Sequence, residues 1–229
     1  MLNLQPRAEH TAALLGTKVH KCLEKHYLGG DWHDVLPSIA DSEMRTKATG
    51  IMEGYFARYP FEKVNVLAVE REFSLQIEGN TFTRRFDLIY KARSSAYAMD
   101  HKTTSRPKER TGGVTLDNAL ITQELLGRAV VSRELNLPWG GTVLNVIPTN
   151  SNKYTRLFLS FSPRVLEEMP KSIARIMRYE KSLVSSPQSP WSYTQSFACY
   201  DRYGVCEYAP LCERGPDELY LYHSTEREV

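Results

Sequence analysis

The chain has no apolar run of the ~18 residues that a membrane-spanning helix needs, and its N-terminus shows no apolar core of signal-peptide type. Both absences argue against an integral membrane or secreted protein, so the expected location is the cytoplasm. Charge of one sign is also lacking: 29 Lys and Arg against 27 Asp and Glu leave a net charge of +2, too mild to announce nucleic-acid binding by composition. Internal repeats and low-complexity tracts are missing. Cysteine is scarce, with 4 in 229 residues, and in a cytosolic protein the three that cluster near the C-terminus favour a metal over disulfides. What remains is a length that buries a substantial core in one domain with a small appendage. The one plausible linker is Ser185-Ser186-Pro187-Gln188-Ser189-Pro190, which sets the expected layout: a main domain over 1–184 and a cysteine-containing extension over 191–229.

The most informative stretch runs from Phe86 to Thr104. Asp87 lies in an apolar, strand-forming run (Phe86, Leu88, Ile89, Tyr90), and Asp100 ends a second one (Ala96, Tyr97, Ala98, Met99), with the polar Arg93-Ser94-Ser95 between them. A hairpin then carries carboxylates on neighbouring strands. Strand alternation places Asp100 and Lys102 on one face and turns His101 to the other. Carboxylates suit Mg²⁺ or Mn²⁺, ions that activate water and polarise a phosphoryl oxygen. A lysine beside them supplies a cation for the attacking water or for charge growing on phosphate. An ordinary Asp–Lys ion pair on a surface hairpin would look the same in isolation.

Other segments accompany this one in a fixed order, and together they resemble the PD-(D/E)XK nuclease superfamily, in particular its RecB-like, Cas4-like and phage-exonuclease branch. Arg84-Arg85-Phe86-Asp87-Leu88-Ile89 is similar to the family's G-x-[IF]-D-L-[IV]. Asp100-His101-Lys102-Thr103-Thr104 is similar to D-x-K-T-[TS]. Upstream, Gly16-Thr17-Lys18-Val19-His20-Lys21-Cys22-Leu23-Glu24 matches G-x-x-[VL]-H-x-x-[LF]-E. Downstream, Gln123 answers the glutamine of Q-x-x-x-Y, while Gly127 stands where the tyrosine would be. The resemblance spans roughly residues 14 to 180.

It implies an α/β fold with a restriction-endonuclease-like αβββαβ core, a mixed central sheet flanked by helices. It implies Asp87 and Asp100 as metal ligands, with His101 through its backbone carbonyl and His20 from the first helix; Lys102 would be the catalytic cation, and Gln123 would contact substrate or Lys102. On its own, a histidine on an apolar helix face is more often a packed residue than a ligand. Glu70 could add a carboxylate, although its place in a strand reads first as solvated. Arg84, Arg85, Arg106 and Lys108, with Arg110, Lys153 and Arg156, could line a groove that tracks a nucleic-acid backbone, or be solvated charges.

The pattern of apolar residues agrees with that core. Helices are expected over Glu9–Tyr27, Asp41–Tyr59, Asp117–Asn136 and Pro163–Leu183, and strands over Asn65–Ile77, Thr81–Ala92, Ala96–Thr103, Thr142–Ile147 and Thr155–Phe161. Many members of the resembled branch carry a [4Fe–4S] cluster on one N-terminal and three C-terminal cysteines, so Cys22, Cys199, Cys206 and Cys212 are the candidate ligands that the resemblance implies here. The spacing departs from that pattern between Cys199 and Cys206, and Cys22 falls at an apolar helical position where a free thiol packs as a small hydrophobe. Zinc on Cys199, Cys206, Cys212 and His223, or no metal at all, are the alternatives. The chain enters the histidine motif almost directly, which suggests a truncated or divergent copy. The expected function is a Mg²⁺- or Mn²⁺-dependent deoxyribonuclease, an exonuclease on DNA ends or single strands in recombination, repair or phage replication. Recombination or single-strand-binding proteins would be its candidate partners. The rivals are a catalytically impaired DNA-binding accessory protein and a structure-specific endonuclease.

Overall fold

The computed structural model describes residues 4–6, 11–60, 64–184, 200–201, 204–206 and 208–224. In chain order the elements are β1 (Leu4–Pro6), α1 (Thr11–Tyr27), α2 (Ser42–Arg58), β2 (Asn65–Ile77), β3 (Asn80–Ala92), β4 (Ser95–Thr104) and α3 (Pro107–Thr111). They continue with α4 (Asn118–Leu126), α5 (Ser132–Leu135), β5 (Trp139–Pro148), β6 (Thr155–Phe158), α6 (Pro163–Val184), β7 (Tyr200–Asp201), β8 (Gly204–Val205), α7 (Ala209–Arg214) and β9 (Tyr222–Ser224). A 3₁₀ segment, Trp32–Ser38, links α1 to α2. Among the described residues no helix is long and apolar enough to cross a membrane.

The chain divides into two compact units, Ala12–Ala174 and, together, Met1–Thr11 with Arg175–Val229. The larger unit holds a five-stranded sheet in the order β2-β3-β4-β5-β6. Only β4 and β5 run parallel; the other neighbours are antiparallel. Apolar cores lie on both faces of the sheet. On one, α1 and α2 pack Val19, Leu23, Met52 and Tyr55 against Leu88, Tyr90, Met99 and Val143. On the other, Leu126, Val130 and Val131 cover Phe73, Phe86, Ile89, Ala96 and Ala98. The mixed, helix-flanked sheet expected from the sequence is thus the one observed.

Local chemistry accounts for the element ends. Asp41 caps α2 by accepting the Met44 N–H at 2.8 Å, and Asp117 caps α4 by accepting from Ala119 and Leu120. Asn136, with φ of 51°, takes the left-handed conformation that stops α5. Two expectations need correction. The helix expected over Asp117–Asn136 is interrupted by a π-helical turn, Gly127–Val131, and the last strand stops at Phe158 rather than running to Phe161. In the smaller unit, β1 pairs antiparallel with β9, β7 with β8, and the Tyr208 and Tyr222 rings stack.

Candidate active site

The β3–β4 ladder ends early. Its pairs run from Ala92–Ser95 to Leu88–Met99 and go no further, while β4 continues to Thr104 paired only with β5. The two strands therefore part at the point where Asp87 and Asp100 would face each other. The Asp87 carboxylate fills the opening: its Oδ2 accepts the His101 backbone N–H at 2.8 Å, replacing the ladder bond that β3 no longer provides.

β3 changes phase at the same point. Leu88 and Tyr90 belong to the core under α1 and α2, Ile89 to the opposite one, yet Phe86 lies on Ile89's side, so strict alternation is broken at Asp87. Across from it, Glu70 takes φ of 48°, and the two are not ladder partners although Val69–Leu88 and Arg71–Phe86 are. A left-handed glutamate inside a strand is an irregularity of the kind that re-aims a side chain next to a functional site.

The re-aimed side chains meet His20 from α1. The ligand atoms of His20, Glu70 and Asp87 all lie within 4.8 Å of one another, and His20 Nδ1 is 3.7 Å from Asp87 Oδ2. Gly16, one turn before His20, is what lets α1 sit so close: a Cβ there would come within 2.7 Å of the Thr103 hydroxyl on β4. Burial pushes the Glu70 carboxyl above its ordinary range, the charge of Asp87 adds to the push, and Arg85, whose Nε is 2.9 Å from Glu70, opposes it. These side chains border a pocket of about 490 Å³, lined also by Thr17, Lys21 and Thr103. The donor set fits a divalent cation. Donors held about 2.1 Å from one ion lie roughly 3 to 4.2 Å apart, so the three side chains would draw together on binding one. A cation there would relieve the repulsion between Glu70 and Asp87. Glu70 is thus a correction: it is not a solvated strand residue but a member of the cluster.

Asp100 and Lys102 lie beside this cluster. Asp100 is 2 % exposed, with Lys102 Nζ 3.0 Å from its Oδ2 and Arg84 Nη2 3.4 Å from its Oδ1. Burial pushes its carboxyl up, Lys102 pulls it back, and Asp87 pushes it up again. Arg84 Nη2 also lies 3.4 Å from Oε1 of Gln123 on α4, which is 1 % exposed. His101 turns to the α1 side, where its ring stacks on Tyr27 and meets His20 edge-on. Burial lowers the His101 imidazole to about 3, so it is neutral. Arg156, a pure donor, points Nε at Asn145 Oδ1; Asn145 therefore presents Nδ2 to His101 Nδ1 at 2.8 Å, which leaves the proton on His101 Nε2.

The sequence-derived candidates separate as follows. His20, Asp87, Asp100, His101, Lys102, Gln123 and Arg84 converge at the parting of β3 and β4, and Arg85 borders the pocket. Arg106 and Lys108 are exposed just beyond β4, Arg106 pairing with Glu109 at 3.5 Å. Arg156 faces inward, its Nη2 donating to the Tyr55 hydroxyl at 2.6 Å and its guanidinium stacked on Tyr59, so it lines no groove. Cys22 is buried in the core on α1, and burial raises its thiol to about 11. Cys206 is half-buried, Cys212 lies on α7, and Cys199 falls outside the described residues.

The absent tyrosine also has a physical account. A Cβ on Gly127 would lie 2.1 Å from the Trp139 ring, so the indole occupies the place of a side chain there. Trp139 is held by its N–H, which donates to Glu124 Oε2 at 3.0 Å; the Thr142 hydroxyl donates to the same oxygen at 2.9 Å. Sequence patterning carried no sign of this lock.

A model of the PD-(D/E)XK nuclease superfamily matches residues 1–213. Among solved structures, the chain is similar to a protein from Eubacterium rectale provisionally called an exonuclease, with a TM-score of 0.53, 11 % identity, and coverage of 98 % of this chain and 79 % of that one. A second solved chain, SSO0001, has a TM-score of 0.38 at 13 % identity, covering 86 % of this chain and 84 % of that one. No curated protein matches the sequence.

Proposed function

The chain belongs to the PD-(D/E)XK nuclease superfamily, and on that premise we propose that it is a Mg²⁺- or Mn²⁺-dependent deoxyribonuclease of the RecB-like type, acting as an exonuclease on DNA ends or single strands. The observation that carries the reading is the meeting of a His20–Glu70–Asp87 ligand set with the Asp100–Lys102 pair where β3 and β4 separate. When bound, the divalent ion would polarise a phosphoryl oxygen and offset charge on the leaving oxygen. His20, Glu70 and Asp87 would hold it, with Asp100 and the His101 carbonyl as the further ligands that the family resemblance implies.

The chain's own groups would do the rest. Lys102, anchored by Asp100 at 3.0 Å, would hold the attacking water by hydrogen bond and neutralise negative charge as the phosphorus gains its fifth oxygen. Water would add to phosphorus as the P–O bond to the leaving sugar oxygen breaks, and that oxygen would take up a proton. Asp87, already fixed by the His101 N–H, would keep its geometry through the step. Arg85 at the pocket's border and Arg106 and Lys108 beyond β4 would meet the nucleic-acid backbone.

Cleavage of end-labelled linear and of circular single-stranded and duplex DNA, in Mg²⁺, Mn²⁺ or EDTA, tests this with wild type, Lys102→Ala and Asp87→Asn. Metal-dependent degradation lost in both variants is expected, with circles spared. Cleaved circles would make it an endonuclease. Binding without cleavage under either metal would overturn the catalytic reading in favour of an accessory DNA-binding protein.

A further inference from the structure

Resting on the nuclease reading, we propose that Arg84 is a substrate-binding residue, its guanidinium forming with the Lys102 ammonium and the Gln123 amide a seat for the oxygens of a nucleic-acid phosphate. Arg84 stands where the family motif quoted above has glycine, so of the three groups the guanidinium alone is this chain's own.

The simpler role for Arg84 would be to neutralise Asp100, and the geometry does not suit it. Asp100 already has Lys102 at 3.0 Å. An arginine placed for a carboxylate grips it with two short parallel bonds. Arg84 instead reaches Asp100 and Gln123 through one nitrogen, Nη2, at 3.4 Å in each case, beyond the usual range for such bonds. Its Nε is buried and has no hydrogen-bond partner. Neither has Nε2 of Gln123, itself almost fully buried. Buried donors without acceptors are costly unless something fills them. Around Asp100 stand two cations and two donors without acceptors, with Asp100 Oδ2 itself lacking a hydrogen-bond donor and the Asp87 carboxylate close by.

An anion offering several acceptor oxygens in fork geometry would satisfy these donors. A phosphate does so, and guanidinium groups match it bidentately. Arg84 is 20 % and Lys102 32 % exposed at the side chain, so both cations reach solvent in part.

Isothermal titration with thymidine 5′-monophosphate and with the dinucleotide TpT, in Ca²⁺, would separate a terminal phosphate from an internal one, thymidine serving as the phosphate-free reference. Arg84→Gln is expected to weaken at least one phosphate ligand about tenfold to hundredfold, leave thymidine unchanged, and keep Mn²⁺ affinity by electron paramagnetic resonance within about twofold. Arg84→Lys, which keeps the charge and protects against a folding defect in the first variant, should lose about threefold or more because the fork is gone. Unchanged affinity for both phosphate ligands in both variants, or a loss confined to Mn²⁺, overturns the proposal. The two readings fail separately. A wild type that cleaves no DNA but loses phosphate affinity with Arg84→Gln keeps the seat and sinks the nuclease. A wild type that cleaves DNA, with both Arg84 variants binding and cleaving as it does, keeps the nuclease and sinks the seat.

Discussion

Gly127→Ala reads out the lock between α4 and β5 by the sign of its effect. Gly127 has φ of −54° and ψ of −48°, ordinary helical values, so alanine there carries no backbone strain. By helix propensity alone the substitution stabilises by about 1 kcal/mol. Against this, the new methyl would sit 2.1, 2.2 and 2.5 Å from three atoms of the Trp139 ring, and the indole must move. Overpacking a well-filled site costs about 1–3 kcal/mol. Moving the ring also breaks its hydrogen bond to the buried Glu124 carboxylate, about 1.5–3 kcal/mol for a charged acceptor. The net expectation is a loss of about 2–5 kcal/mol, a large share of a domain's roughly 5–15 kcal/mol. Urea denaturation should show a lower midpoint with an unchanged slope. In a Trp139→Ala background the same substitution should become neutral or stabilising. A neutral or stabilising Gly127→Ala in the otherwise wild-type chain would refute the packing argument.

Glu70→Gln should weaken Mn²⁺ binding by roughly 10–100-fold, the scale of losing a ligand or its support, as read by electron paramagnetic resonance; wild-type affinity would return Glu70 to the solvated class. Asn145→Leu removes the donor to His101 and the acceptor for Arg156, so about 1–3 kcal/mol should be lost in denaturant titration, and a variant as stable as wild type would show that the network adds nothing. Cys22 is 0 % exposed, so maleimide labelling followed by mass spectrometry should mark it only in denaturant; modification of the folded protein at Cys22 would contradict its place in the core.

Much of this architecture was legible because it is written in local periodicity. Leu15, Val19, Cys22 and Leu23 on α1, and the turns at Gly79 and Arg93–Ser94, are short-range signals, and the elements they predict stand within a few residues of expectation. The convergence of His20, Asp87, Asp100 and Lys102 followed from motif order. Glu70 was not legible, since alternation says where a regular strand sends its side chains, and Glu70 acts through an irregularity. The Gly127–Trp139 contact joins residues whose meeting depends on the sheet, so no window of sequence contains it. The inward turn of Arg156 is likewise set by Tyr55, Tyr59 and Asn145, not by its neighbours in the chain.

The site draws on two cores rather than one. His20 rides on α1 and so on the apolar layer of Val19, Leu23 and Tyr55, whereas Gln123 precedes Leu126 on α4, whose contacts lie with Phe86 and Val130 across the sheet. Drift in one layer need not disturb the other. On the proposed reading of the site, a lineage that loosens the α1 layer would surrender ion loading while its α4 side, with Arg84 and Gln123, stays assembled. Such a descendant would still grip phosphate but no longer cut, so the step from enzyme to non-catalytic binder can be taken through packing alone, with every motif residue still in place.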